Sequence, residues 1–178
     1  MHFPLAFLSL AFGIDILHAS IGYLPASITS SLPVGTDLTR AAYYLLSLGL
    51  LTAVPAVASG TQQMVKMVSK QGMYEQDGVT IKAKVKAGIA HAVTNDIVLA
   101  IAAFIWYSRR SAAANTIVGK LGVGSVGTSA ATYEAQTWMV IVEALIGGLQ
   151  FFSASIGGAL TYNYGVGMNI AGGSKKVQ

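Results

Sequence analysis

The chain has 178 residues, of which 53% are hydrophobic and 10% charged, and its mean hydropathy is +0.59. A soluble domain carries about 25% charged residues, so this composition excludes an ordinary water-facing surface. Eleven basic and seven acidic side chains give a net +4, and the absence of cysteine excludes disulfides, cysteine-held iron–sulfur clusters, thiolate zinc sites and thiol catalysis.

The first apolar run, FPLAFLSLAFGIDILHASIGYLPASI, predicts a membrane span over 3–29. Pro4 falls in its first turn, where a missing N–H leaves no helical bond unmade, and Pro25 is expected to kink the helix or mark its exit. The run lacks a basic leading segment and a clean small-residue cleavage motif, and it contains Asp15 and His18; it reads as a retained span and not a signal peptide.

A Leu- and Ala-rich run predicts the second span over 41–59, with Pro55 near its end and Gly60 closing the apolar pattern. The polar stretch that follows carries Lys66, Lys70, Glu75, Asp77, Lys82, Lys84 and Lys86. Its first part, TQQMVKMVSK, can extend the helix into the headgroup zone, where lysines snorkel, and the Asp77–Gly78 pair signals a turn.

The third span is expected over 87–107, stopping at Arg109 and Arg110, with Trp106 and Tyr107 at an interfacial level. The Gly- and Ser-rich segment after it contains no GxxxxGK[ST] phosphate cradle. The fourth span is expected over 136–162, and Gly147, Gly148, Gly157 and Gly158 within it are expected to allow close helix packing. The whole chain therefore reads as one all-α membrane domain, a four-helix bundle.

An even number of spans puts both termini on one side, together with the loop between spans two and three. That loop holds five lysines and two acids, for +3, and two more lysines follow the last span. On the opposite side Asp37 and Arg40 cancel, while Arg109, Arg110, Lys120 and Glu134 sum to +2. The bias places both termini on the cytoplasmic or equivalent inner side. Basic residues placed between and after apolar runs point to anionic lipid headgroups as counterions, and no nucleic-acid partner is expected.

A charge at the centre of a spanning helix costs at least about 2.5 kcal/mol, so ionisable residues kept there face protein, water or one another. Asp15, His18, His91, Asp96 and Glu143 are that set. Asp15 and His18, three apart, share a face on which the carboxylate would orient or charge-stabilise the imidazole. His91 and Asn95 share a face four apart, and Asp96 lies about a turn beyond His91. His2 and His91 fall near the same interface, and Asp15, His18 and Glu143 nearer the middle or opposite half. There is no HExxH and no nucleophile motif.

Two end segments and one central segment resemble an uncharacterised family of four-span membrane proteins, the domain of unknown function 2231. The matching residues are HFPLAF with His2, Phe3 and Pro4, followed by Asp15; His91 in GIAHAVTND; and GGALTYNYGVG from Gly157 to Gly167. Family members often have a histidine before the final Gly-Val-Gly, where this chain has Tyr164; a ligand role of that histidine would be absent or altered here. The resemblance implies a four-span fold and no particular reaction.

The sequence therefore reads as a structural or accessory membrane component, more an accessory than an enzyme, surrounded by lipid. It is expected to contribute helices to a homo-oligomer or a larger membrane complex. Two alternatives stay open: a redox protein binding a haem or quinone through His91, His2 and His18, and a translocator of protons or small solutes along the same groups.

Overall fold

A computed structural model describes residues 2–33, 35–120 and 133–166, with the backbone alone for His2 and residues 114–120. The described residues form α1 (His2–Ser20), a 3-10 turn (Ile21–Tyr23), the short α2 (Ala26–Thr29), α3 (Gly35–Gln71), α4 (Ala83–Lys120) and α5 (Thr137–Tyr162). Among them α1, α3, α4 and α5 are long and apolar enough to cross a membrane. The protein is a multi-pass integral membrane protein, an all-α bundle of four spanning helices.

Helix bounds depart from the apolar runs in several places, α3 and α4 also beginning earlier than expected, at Gly35 and Ala83. The first run breaks after Ser20, because Leu24 is extended ahead of Pro25, whose ring disfavours a helical predecessor. Helix α3 continues through Pro55 and Gly60 to Gln71, so Gly60 does not end it. There Gly72, in the left-handed region at φ 70°, turns the chain, and Lys82 Nζ donates to the Gln71 carbonyl at the helix end. Helix α4 does not stop at Arg109 and Arg110 but runs on to Lys120.

Arg109 of α4 meets Asp15 of α1, and Gly49 of α3 meets Leu8 of α1, while Gln150 of α5 reaches back to Leu5 and Ser9. Each long helix is thus antiparallel to its predecessor. The start of α1, the α3–α4 connection and the end of α5 lie at one end of the bundle, called here the lysine end; Arg109 lies towards the other.

The core is an aliphatic and aromatic cluster of Leu8, Ala11 and Phe12 from α1, Leu46 from α3, Val98, Ala102 and Ile105 from α4, and Met139 and Ile146 from α5. These positions recur every three or four residues, the spacing of one helix face. The opposite faces are apolar as well: Leu10, Leu51, Val54, Phe104, Leu145 and Phe151 are all exposed. Apolar residues on both faces suit a helix with protein on one side and hydrocarbon on the other.

Helices α1 and α3 approach closely at Gly49, where a Cβ would lie 2.7 Å from Leu8 Cδ2 and 3.3 Å from the Leu8 backbone nitrogen. No larger residue fits without moving α1. Towards the lysine end, Gly88 of α4 makes similar room for Met64 of α3.

Candidate functional site

Two polar layers cross the apolar interior. The first is centred on Arg109, which the sequence reading assigned to the end of a span. Its Nη1 donates to Asp15 Oδ2 at 2.6 Å and its Nη2 to Asp15 Oδ1 at 3.3 Å, the two-pronged geometry that suits a planar guanidinium. Nη2 also donates to the carbonyls of Thr39 (3.2 Å) and Tyr133 (2.5 Å), and Nε to the Tyr133 carbonyl (2.9 Å). One side chain thus binds α1, the first turns of α3 and the segment leading into α5.

Glu143 of α5 completes this layer. Its side chain is 0% exposed, its Oε1 lies 3.9 Å from Arg109 Nη1, and neither of its oxygens accepts a hydrogen bond. One guanidinium therefore faces two carboxylates. Tyr43 covers the layer, with the Arg109 guanidinium 5.9 Å from its ring centre; Tyr43 in turn packs on Tyr133 (4.4 Å) and stacks on Trp106 (6.3 Å). Trp106 Nε1 donates to Ser47 Oγ at 2.8 Å, which fixes this aromatic group to α3.

Both Asp15 oxygens are held by Arg109, and among the described residues no hydrogen bond joins Asp15 to His18. Its ring instead lies against the start of α3, with Nε2 3.0 Å from where a Cβ on Gly35 would sit.

The second layer lies towards the lysine end and joins α4 to α5. His91 Nδ1 is 2.9 Å from the Ser153 carbonyl, to which it donates, and 3.1 Å from Ser153 Oγ. Asn95 Nδ2 donates to the His91 carbonyl at 2.8 Å and lies 3.3 and 3.2 Å from the two ring nitrogens. Gly157 makes room for the imidazole: a Cβ there would be 2.9 Å from His91 Cε1. One turn away Gln150 Nε2 donates to the Leu5 carbonyl and to Ser9 Oγ, both at 2.9 Å, which ties α5 to α1.

The remaining residues singled out from the sequence fall elsewhere. Asp96 is exposed on the outer side of α4: helical rotation of about 100° per residue turns it away from buried Asn95. The same rotation divides the glycine pairs. Gly147 touches Phe12 (3.8 Å to an added Cβ) and Gly157 touches His91, whereas Gly148 and Gly158 have nothing within 4 Å and face outward. Tyr164 is exposed just beyond α5, before Gly165, which turns the chain at φ 64°. The His2 side chain lies outside the described residues, as does Gly167.

His18 packs at the start of α3 and His91 against Ser153 and Gly157 of α5, at different levels of the bundle. Among the described residues no group of three or more His, Asp or Glu is arranged to hold a metal ion. The crevice bordered by Pro4, Leu8, Asn95 and Gln150 has a volume of about 10 Å³, the room of about one water molecule and not of a quinone ring or a haem.

Four residues that matter here escaped the sequence reading. Arg109 could have been found by charge balance, since two carboxylates in spanning helices require a cation at similar depth. Gln150 and Ser153 follow Glu143 and Ile146 at alternating steps of three and four on α5, the spacing of a buried seam. Gly49 carried no signal beyond being a glycine in an apolar run.

The family model described as "Predicted membrane protein (DUF2231)" matches residues 1–169, nearly the whole chain. No curated protein and no solved structure matches it. The protein belongs to the DUF2231 family.

Proposed function

For this member of the DUF2231 family we propose an accessory role, in which the bundle contributes its helices to a larger membrane assembly. The observation that carries this reading is Asp96, a carboxylate on the outward face of α4 with no hydrogen bond or ion pair among the described residues. Ten residues separate it from Lys86 and eleven from the exposed Tyr107, about 15 and 16 Å along the helix, so it lies near the centre of a hydrocarbon layer about 30 Å thick. A carboxylate left in lipid at that depth is costly, and packing against another chain removes the cost. Outward-facing Gly148 and Gly158 supply further surface on which a helix can approach closely.

The interior supports the same reading. His91, Gln150, Asp15 and Arg109 each bond one helix to another, and Asn95 holds the His91 carbonyl and ring within α4. Purification in several mild detergents and in lipid particles, followed by native mass measurement, tests the proposal. A complex that includes this chain is expected; a monomer under every condition, with no recovered partner, would overturn it. The lysine end is proposed to face the cytoplasm or equivalent inner side, since Lys66, Lys70, Lys82, Lys84 and Lys86 gather there.

A second reading, proton translocation, is favoured by Glu143, whose buried oxygens accept no hydrogen bond beside the Asp15–Arg109 pair. It requires a proton flux in reconstituted vesicles that Glu143→Gln abolishes. Spectra of the purified protein in oxidised and reduced states separate a haem-bound form from both readings.

A further inference from the structure

We propose that the outer face of α4 around Asp96 receives a spanning helix of a different protein, one that presents an arginine, lysine or histidine at mid-bilayer depth. This rests on the assembly reading above and names the partner's chemistry. Ala92 and Ala100, one turn to either side of Asp96, are both exposed, and Ala103 continues the line, so a neighbouring backbone can come close enough for its side chain to reach the carboxylate. Val93 and Ile97 flank this seam with apolar surface.

Charge decides what fills it. A second copy meeting the same face about a two-fold axis would set Asp96 against Asp96, two like charges in a medium of low dielectric constant. A second copy meeting it through another face has no cation to offer at this depth. Among the described residues Arg109 is the basic side chain buried in the bundle interior, held by Asp15; in the sequence Arg40, Lys66, Lys70, Lys82, Lys84, Lys86, Arg110, Lys120, Lys175 and Lys176 lie at or beyond the ends of the apolar runs. His91, at part-buried depth, is bonded to Ser153. The complementary cation therefore comes from another chain.

The test places a photoreactive amino acid at Ala92 or Ala100 in the full chain, in its native membranes, and identifies the adduct by mass spectrometry. The expected adduct is a different membrane protein, attached through a spanning helix with a basic residue within one turn of the bilayer centre. Asp96→Asn, which keeps the shape and removes the charge, is expected to lower the yield about tenfold, the loss of one charge-assisted interaction. Asp96→Lys should abolish the adduct, and a carboxylate in place of the partner's basic residue should restore it. Unchanged helix content and melting of Asp96→Asn establish that the fold is intact. Adducts to a second copy alone, or to another protein with a yield indifferent to Asp96→Asn, overturn the proposed partner chemistry and leave assembly standing. Adducts to lipid alone from both positions overturn this inference, and the native mass measurement then decides the assembly reading separately.

Discussion

Arg109 is the residue on which most of the bundle converges, and its replacement separates two kinds of cost. Arg109→Gln leaves Asp15 and Glu143 buried without a cation, and it leaves the Thr39 and Tyr133 carbonyls without their donor. Removing one partner of a buried ion pair costs about 3–5 kcal/mol. Glu143→Gln keeps the volume, removes the excess negative charge and leaves the Arg109–Asp15 pair in place, so its cost should be far smaller. Unfolding by denaturing detergent, followed by circular dichroism, checks the order: Arg109→Gln well below Glu143→Gln and wild type. Equal losses in the two variants would show that the layer does not depend on the Arg109 charge. Gly157 and Gly158 give a second comparison. An alanine methyl at Gly157 meets the His91 ring at 2.9 Å, and that ring is pinned by Ser153, whereas Gly158 has open space; Gly157→Ala should cost about 1–3 kcal/mol and Gly158→Ala almost nothing. The same unfolding measurement reads both.

At the scale of elements, the four spans were legible because hydrocarbon demands about twenty apolar residues in succession, and that demand leaves a plain mark in the sequence. The helix ends were not, because outside the apolar layer a helix continues or stops on local terms. Gly60 sits in α3 without breaking it, and α3 yields only where Gly72 adopts a positive φ. Pairing between elements was the least legible. The depth of Asp15 and Glu143 could be read from their position in each run, but that Arg109 binds Asp15 depends on how α1 and α4 rotate against each other. The connection between α3 and α4 is a small hairpin-like turn in which Asp77 accepts hydrogen bonds from the Thr80 hydroxyl and from the Thr80 and Val79 backbone nitrogens. These bonds, the Thr80 hydroxyl first, hold its carboxyl below the ordinary value of 3.8. A lowered value means that the turn gains stability from the ionised form above the ordinary aspartate value and loses it as the pH falls through the lowered one. Protection of the Val79 and Thr80 amides, taken relative to the intrinsic exchange rate at each pH, should therefore be greatest at neutral pH and fall in strong acid, and Asp77→Asn should remove most of that acid dependence.

On the scale of the whole molecule, α3 and α4 have 37 and 38 residues, about 55 Å each, well beyond a hydrocarbon layer of about 30 Å. At the lysine end the excess is a paired extension in which Met64 packs on Gly88 and which carries Lys66 and Lys70 outward. The antiparallel order sets this extension opposite the segment between α1 and α3, and the lack of native cysteine allows single introduced thiols to be read without background. Ser69 and Ser31 are both exposed, at opposite ends of the bundle, and Val93 is exposed at mid-depth, one turn from Asp96. In sealed right-side-out vesicles a membrane-impermeant maleimide should label Ser31→Cys at once and Ser69→Cys only after the vesicles are opened. Val93→Cys should resist the reagent in both states, because lipid or a neighbouring helix covers it. Labelling of Ser69 and Ser31 from the same side would show that α3 does not cross the membrane. Ready labelling of Val93 in sealed vesicles would place Asp96 in water, and the carboxylate would then need no partner at all.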